Sequence, residues 1–248
     1  MRRIAVTLLS ATSLFAFAHV ASAADIAVKA PRVAVAGYDW SGFYIGGHAG
    51  HGSATSDWTF RNNSFFNNAA GETFSHDPKG GLYGAHIGYN FQSGSFVYGI
   101  EASWSGASIN ETSVSPFFPA SDQLTTEVTR LWQVAARAGV AMDNWLFYAK
   151  AGFAGGRVEV NAFDTVSIVR ANTSTTRSGY VVGLGSEVML GSSWILGVEY
   201  NYIDLGSKRH STTDSGGTLF TVDADVTVQT FVARLSYKFG GGPLIARY

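Results

Sequence analysis

Seven charged residues stand singly inside segments of the chain that otherwise alternate between apolar and small or polar residues. They are three acids and four bases: Glu101, Arg137, Lys150, Glu187, Glu199, Arg234 and Lys238. Since side chains alternate between the two faces of a strand, all seven fall on the face opposite to the apolar residues. A charge buried without a partner is costly. The pattern therefore predicts an internal salt-bridge network, with a conducting pathway as the alternative interpretation.

Histidine offers a second possible chemistry, because imidazole is a common ligand of metals and of haem iron. No tight ligand spacing such as HExxH is present, so a zinc site has little support. His48 and His86 are expected to face inward as ordinary hydrogen-bonding groups. His51, His76 and His210 lie in or near long polar stretches, where a haem could reach them. The aromatic side chains available in two of those stretches are Phe65, Phe66, Phe117 and Phe118. Solvated loop histidines are the competing interpretation.

An enzymatic site is not expected. His210 and Ser211 are adjacent, with Asp204 and Asp214 nearby, but neighbours on a strand point to opposite faces, which is poor geometry for a base and its nucleophile. The chain contains no GxSxG, phosphate-binding loop or dinucleotide fingerprint.

The composition excludes several other classes. Charged residues make up only 14% of the 248 residues, against roughly 25% in an ordinary soluble domain. Lys and Arg number 17 against 18 Asp and Glu, which leaves no basic footprint for nucleic acid. The absence of cysteine rules out disulfides and thiol catalysis. With 46% hydrophobic residues the chain is too apolar to be disordered.

The first residues of the chain follow the pattern of an export signal. Arg2 and Arg3 precede an uncharged apolar run, and Ala21-Ser22-Ala23 forms a small-x-small cleavage site. We therefore predict a signal peptide over residues 1–23, a periplasmic tether over 24–39, and a barrel domain over 40–248. The tether has no strong period, and a first strand is the alternative for that stretch.

Eight later segments alternate with a period of two. They are Phe43–Ala49, Tyr83–Phe91, Phe96–Trp104, Trp132–Val140, Trp145–Phe153, Tyr180–Val188, Trp194–Tyr202 and Phe231–Phe239. A soluble β-sandwich also alternates, so the period alone does not decide the class. Aromatic residues cluster at the segment ends, as the interfacial girdles of a membrane barrel require, and isolated charges occupy the other face. We predict an all-β, eight-stranded antiparallel up-and-down transmembrane barrel.

Short and long connections alternate along the chain. The short ones are 92–95, 142–144 and 191–193, and the long polar stretches are 53–79, 108–125, 161–176 and 207–224. This rhythm predicts periplasmic turns, external loops and both termini on the periplasmic side. The apolar parity changes between Val228 and Phe231, which predicts a bulge or strand start near Gln229-Thr230.

Both ends of the mature chain resemble a known family. The run from Asp39 to Gly47, DWSGFYIGG, and the close from Arg234 to Pro243, RLSYKFGGGP, followed by Ala246-Arg247-Tyr248, are similar to the RopB-like small outer-membrane barrels of rhizobia and their Brucella and Bartonella relatives. The final aromatic of such barrels is present twice, as Phe239 and as Tyr248.

The resemblance implies an eight-stranded OmpA-like barrel that supports envelope integrity, contacts outer-membrane lipid and lipopolysaccharide, and is inserted by the barrel-assembly machinery. Some relatives bind haemin, although no family haemin motif is found in this chain. We therefore expect a structural, non-enzymatic surface protein without an obligatory cofactor. A haem-binding or small-solute porin-type protein is the alternative.

Overall fold

The computed structural model describes residues 38–62, 69–115, 122–166, 168, 170–213 and 217–240. The predicted signal peptide, most of the predicted tether, and the C-terminal residues with Tyr248 lie outside these ranges. So do the four loop phenylalanines named beside the candidate haem histidines. Over the described ranges, no helix is long and apolar enough to cross a membrane.

Period-two alternation of apolar and small or polar residues produces long strands throughout the described ranges. The strands are β1 (Gly42–Phe60), β2 (Thr73–His76), β3 (Lys79–Ser93), β4 (Phe96–Val114), β5 (Asp122–Met142), β6 (Trp145–Asp164), β7 (Arg170–Leu190), β8 (Trp194–Thr213) and β9 (Leu219–Lys238). Each of the eight alternating segments lies within one of them, apart from Phe239, which directly follows β9.

Eight antiparallel strands close into a ring, because β1 pairs with both β3 and β9. Each of the other ring strands pairs with its neighbours in sequence. The short β2 pairs with the far half of β1, from Ser56 to Thr59. Between β2 and β3 the Pro78 carbonyl accepts a hydrogen bond from the Ala54 amide at 2.8 Å. The predicted eight-stranded up-and-down barrel is confirmed.

Three tight turns lie at one end of the ring, here called the turn end. They join β3 to β4, β5 to β6 and β7 to β8, where Gly94, Asp143 and Gly191 adopt positive φ angles of 61°, 54° and 69°. These are the three short connections predicted from the sequence. The opposite end, where the other connections lie, is called the loop end.

The four predicted long loops are mostly strand, so this part of the prediction was wrong. The strands run on to Phe60, Val114, Asp164 and Thr213 and begin again at Thr73, Asp122, Arg170 and Leu219. Short Ser, Thr and Asp side chains on the outer face hide the alternation there, because their contrast with small apolar residues such as Ala224 and Val226 is low.

The predicted irregularity near Gln229-Thr230 is also wrong. β9 pairs with β1 without a register shift from Val222 to Lys238, and its even-numbered residues from Val222 to Lys238 face inward throughout. What changes near Gln229 is the surroundings of the two faces. The register shifts lie elsewhere, between Gly106 and Ile109, Val128 and Arg130, and Asp204 and Ser207.

The ring therefore has two regions. In the band, nearest the turn end, the outward side chains are apolar and exposed, as from Trp132 to Met142 on β5. This length matches the ~9–11 residues that a membrane-spanning strand needs. Tryptophans mark its limits, with Trp145 and Trp194 at the turn end and the facing pair Trp104 and Trp132 at the other. In the extension, nearest the loop end, the outward side chains are mostly polar.

The inside of the extension is a hydrophobic core. Trp58 is fully buried and packs against Phe60 and Phe74, with ring centroids 6.2 Å apart in both pairs. The remaining core side chains are small or branched, among them Ile109, Leu124, Val128, Val158, Ile203, Leu205, Val226 and Val228. The extension is thus built like a soluble β-barrel, apolar inside and polar outside.

One side of the extension lacks strand pairing. β7 and β8 pair from the turn end only as far as Tyr180 and Asp204. Beyond that point β7 pairs with β6 alone and β8 with β9 alone. We call this interruption of the wall the seam. It begins beside the register shift at Asp204–Ser207, where Gly206 adopts a φ of 62°.

Candidate functional site

The lumen of the band holds a cluster of buried charges at its centre. Arg137 on β5 donates from Nη2 to Glu187 Oε2 at 2.7 Å and from Nη1 to Glu101 Oε2 at 3.3 Å. The two carboxylates come from β7 and β4, so this arginine ties three strands together. All three residues are 3% exposed or less.

A second cation and a third carboxylate complete the cluster from the other side of the lumen. Lys150 on β6 donates to Glu199 Oε1 at 2.7 Å and lies 3.6 Å from Glu101 Oε1. Arg234 on β9 contacts both Glu101 and Glu199 and lies 3.8 Å from Glu187. The charge layer thus comprises three carboxylates and three cations: Glu101, Glu187, Glu199, Arg137, Lys150 and Arg234. Each cation meets more than one carboxylate, which favours neutralisation of all six.

Two tyrosines, which the sequence analysis left out, join the charge layer. Tyr44 donates to Glu101 Oε2 at 2.8 Å, and Tyr148 donates to Glu199 Oε2 at 2.6 Å. The Arg137 guanidinium carbon also lies 3.8 Å from the centroid of the Tyr148 ring, a cation–π contact. Both tyrosines occupied inward positions in the alternation, so the period of two was the signal that could have found them.

Lys238 does not join this layer. Its Nζ donates to the Ser41 carbonyl at 3.1 Å, beside the last residues of β9 at the turn end. The three glutamates therefore pair with Arg137, Lys150 and Arg234. Lys238, the seventh predicted member, instead binds the backbone at the turn end of the barrel.

His48 and His86 lie inside, beside the charge layer, as the sequence analysis expected. Their Nδ1 atoms are 3.3 Å apart, and their Nε2 atoms meet Ser105 Oγ at 2.8 Å and Ser236 Oγ at 2.7 Å. A cavity of about 10 Å³ for water centres borders His48, Glu199 and Arg234. That space suffices for about one water molecule.

Apolar side chains close the lumen on both sides of the charges. Towards the turn end the buried cluster consists of Trp40, Val97, Leu146, Tyr148, Met189 and Ile195. Trp40 lies just before β1, and its backbone amide donates a hydrogen bond to Gln92 Oε1 at 2.7 Å. Towards the loop end lies the hydrophobic core of the extension. The described lumen is therefore layered apolar, charged and apolar along its axis.

Side chains bridge the seam where backbone pairing is missing. Arg177 on β7 is 1% exposed and donates to the Ala224 carbonyl at 2.7 Å, to the Gly206 carbonyl at 3.2 Å and to His210 Nε2. Lys208 on β8 donates back to the Thr176 carbonyl at 3.0 Å. Burial lowers the pKa of Arg177 to about 10. These contacts replace part of the missing strand ladder.

His210 is the hydrogen-bond acceptor of this bridge. Its Nε2 can accept from a guanidinium only as a neutral imidazole, and its Nδ1 lies 3.4 Å from Thr175 Oγ1. Burial, followed by the charges of Arg177 and Lys208, lowers the pKa of His210 to about 4, although Asp223 opposes that shift. The imidazole is therefore neutral at pH 7.

The three candidate haem histidines are not brought together. His51 is exposed on the outer face of β1, while His76 and His210 are buried inside the extension. His76 packs against Trp58 and Phe74, with ring centroids at 5.5 and 5.0 Å, and burial lowers its pKa. The described residues include no group of three or more potential metal ligands.

The candidate catalytic pair is separated by the strand itself. His210 is buried, whereas Ser211 is exposed and its Oγ donates to Thr221 Oγ1 at 3.3 Å. Asp204 accepts from the Gly206 amide at 2.7 Å, inside the register shift. Asp214 lies outside the described residues.

A closed antiparallel ring with an apolar outer band, tryptophans at both limits and a polar lumen defines a class of protein. Closure pairs the strands of the band all round, as hydrocarbon requires, and the outer band presents apolar side chains to lipid. The fold and the lumen are those of a transmembrane β-barrel of the outer-membrane type.

The sequence places the chain within that class. It matches the family model described as outer membrane protein beta-barrel domain over residues 9–239 and belongs to that family. It is 29% identical to the 25 kDa outer-membrane immunogenic protein of Brucella melitensis, over 96% of this chain and 100% of the relative. It is 31% identical to the 22 kDa outer membrane protein of Rhizobium leguminosarum bv. viciae, over 71% and 69%.

The chain is therefore an outer-membrane protein, and the resemblance to rhizobial and Brucella barrels is confirmed. Two solved structures share the fold, each with a TM-score of 0.53. OprG of Pseudomonas aeruginosa is 13% identical over 83% of this chain and 99% of its own. The protease OmpT of Escherichia coli is 8% identical over 80% and 97%. At these identities the likeness concerns the fold alone.

Proposed function

We propose that this protein is a structural barrel of the outer membrane that supports envelope integrity without conducting solutes. The observation that carries the proposal is the layered lumen, in which the charge layer lies between two apolar clusters. An eight-stranded barrel is just wide enough to be filled by its own side chains. Charges that neutralise one another, beside a space for about one water, favour a plug over a channel.

Planar-bilayer recording tests the plug. We expect the refolded wild type to show no steady conductance. Glu187→Ala leaves Arg137 and Arg234 with one carboxylate fewer, and we expect brief openings as water enters to solvate them. Thr227→Ala, on the outer face of the extension, is the matched control and stays closed. Large, steady wild-type conductance would show that the lumen is a pore.

The orientation is part of the proposal. The turn end faces the periplasm and the loop end faces outside, as in barrels with short periplasmic turns. Protease shaving of intact cells is then expected to cut the loop-end connections and spare the turn at Asp143. Cleavage at that turn in cells with an intact membrane would show that the orientation is the reverse of the one proposed.

Removal of the predicted signal peptide is tested separately. N-terminal sequencing of the protein isolated from the cell envelope shows whether residues 1–23 have been removed.

We also propose that the barrel is not an enzyme. The named relatives are outer-membrane proteins, and the candidate base and nucleophile lie on opposite faces of β8. Hydrolysis of a broad set of fluorogenic peptide and ester substrates by the refolded barrel is the test. Turnover that is lost in Ser211→Ala would overturn the proposal.

Haem binding is a second candidate, favoured by one observation. Neither ring nitrogen of His76 has a hydrogen-bond partner among the described residues, and two aromatic rings flank it. His76 would provide one axial ligand, and the two rings would provide an apolar surface for the porphyrin. Haemin titration followed at the Soret band tests this, with His76→Ala compared against His51→Ala and His210→Ala. If all three variants keep the saturable Soret shift of the wild type, none of these histidines is the haem ligand.

A further inference from the structure

Two arginines face each other across neighbouring strands just above the outer limit of the band. Arg130 on β5 and Arg157 on β6 are direct register partners, and both point outward and are exposed. Side chains in such pairs start from β-carbons about 4.5–5.5 Å apart, and like charges placed opposite each other destabilise a sheet. An anion between or beside the two guanidinium groups would relieve that repulsion.

Side chains of the protein satisfy only some of the hydrogen-bond donors of this pair. Arg157 donates from Nε to Glu159 Oε1 at 3.1 Å and from Nη2 to Ser174 Oγ at 3.0 Å. No hydrogen bond or ion pair of the Arg130 side chain is found within the described ranges. A guanidinium carries five N–H donors. Most donors of the pair are therefore free to bind a ligand.

The pair lies at the depth of lipid headgroups. Trp132 is two residues from Arg130 on the outer face of β5, and its indole packs over Gly155, two residues from Arg157. Trp104 faces Trp132 on the adjoining strand. Because tryptophans of a barrel occupy the membrane–water interface, side chains one step farther out reach the layer of headgroup phosphates.

Carboxylates occur on the same face, but farther from the band. Glu127 and Glu159 are register partners on the loop-end side of the arginines. The outward face of β5 and β6 therefore changes from aromatic to cationic to acidic with distance from the band. A uniformly acidic surface would repel a phosphate at every height, whereas this order presents the cations at headgroup depth.

We propose that Arg130 and Arg157 form a binding site for a phosphoryl group of the outer-leaflet glycolipid, lipopolysaccharide. The paired guanidinium groups match a phosphate, which accepts hydrogen bonds on several oxygens at once. This inference rests on the proposed orientation and deepens the structural role, because each bound glycolipid anchors the barrel wall to the surrounding leaflet.

The test uses the full refolded chain in neutral detergent micelles, titrated with bisphosphorylated lipid A. Native mass spectrometry counts the bound lipid. We expect Arg130→Ala and Arg157→Ala each to weaken binding about tenfold, the effect of one charge-assisted hydrogen-bonding group. Arg130→Lys is expected to bind with intermediate affinity, since it keeps the charge and loses the planar fork.

Arg209→Ala is the matched control. Arg209 is an exposed arginine of the extension that pairs with Asp223, well away from the aromatic limit of the band. It is expected to bind lipid A like the wild type. Heat-modifiable gel migration verifies that every variant is folded.

Three outcomes overturn the site: equal affinities of Arg130→Ala and Arg209→Ala, equal binding of lipid A without phosphates, or full displacement by millimolar inorganic phosphate. The last outcome would mean a site for free anions. None of them alters the bilayer recording, so failure of this site and failure of the plug are distinguishable.

Discussion

The band and the extension are continuous strands of one barrel, yet their two faces are inverted. In the band Leu184 faces outward and is 64% exposed, while Glu101 and Arg137 lie inside at 3%. In the extension Trp58 and Val228 are fully buried inside, and Thr227 lies on the outer face. The same pleat runs through both regions, so the surroundings of each face, lipid or water, decide which residues it carries.

The inversion explains how each region is stabilised. The hydrophobic effect drives the core of the extension, as in a soluble protein. The outward side chains of the band gain little from burial in the protein, because the lipid around them is already apolar. Strand pairing all round the ring holds the band together, and its lumen is filled by an apolar cluster and by ion pairs. Breaking one of these ion pairs leaves a buried charge unpaired.

The largest expected effect is in the band lumen. Glu101→Gln removes a carboxylate shared by Arg137, Lys150 and Arg234 and is expected to destabilise the barrel by about 3–5 kcal/mol, because the cations stay buried. Equilibrium unfolding by guanidinium in micelles, followed by tryptophan fluorescence, measures it. Glu159→Gln, in an exposed ion pair, is the control and should cost under about 1 kcal/mol. Similar losses in both variants would mean that water fills the lumen.

The inverted outer faces predict opposite tolerance to lysine. Leu184→Lys places a charge on the lipid-facing side of the band and is expected to cost about 2–4 kcal/mol near the bilayer centre. Thr227→Lys makes the change on the outer face of the extension and is expected to cost under about 0.5 kcal/mol. Unfolding in phospholipid vesicles compares the two. An equal cost would contradict the boundary between band and extension.

The seam predicts that His210 contributes a pH dependence to the stability of the barrel. Folded His210 has a pKa of about 4, whereas the pKa of an unfolded histidine is about 6.5. Between these values the unfolded chain binds a proton that the folded chain excludes, so stability falls as pH drops from about 6.5 to 4. The loss is on the order of 2 kcal/mol. Unfolding at pH 7.5 and pH 4.5 measures it.

His210→Gln is the control for the seam, because glutamine keeps an acceptor for Arg177 and does not titrate. We expect its stability to change less than that of the wild type over the same pH interval. The seam bridge is not the sensor if wild type and variant lose equal stability on acidification.

The smallest expected effect is on the outer surface of the extension. Asp223 pairs with Arg61 and Arg209, each at 2.7 Å, and the hydrogen bonds from Arg209, above all, lower its pKa to about 2. Both arginines are exposed to water, so Asp223→Asn is expected to cost under about 1 kcal/mol, and 1 M salt should abolish the difference. A cost that persists in salt would place this cluster with the buried charges of the band.

The sequence alone determined the barrel, its eight ring strands and its three tight turns. Alternation in the band is strong because large aromatic and branched residues face lipid while glycine and single charges face the lumen. The same contrast identified Glu101, Arg137, Lys150, Glu187, Glu199 and Arg234 as inward groups. In the extension short polar side chains on the outer face alternate with mostly small or branched apolar ones, so its strands were mistaken for loops. The reversal of the two environments was mistaken for a bulge.

Only the tertiary structure decided which inward groups meet. Lys238 has the same period as Arg234 but lies four residues nearer the turn end, where Ser41 and not a glutamate is within reach. Arg177 and His210 are brought together by the missing ladder between β7 and β8. Arg130 and Arg157 face each other through the β5–β6 register. Periodicity specifies the face of a residue, whereas its partner depends on strand order and register, which the closed ring sets.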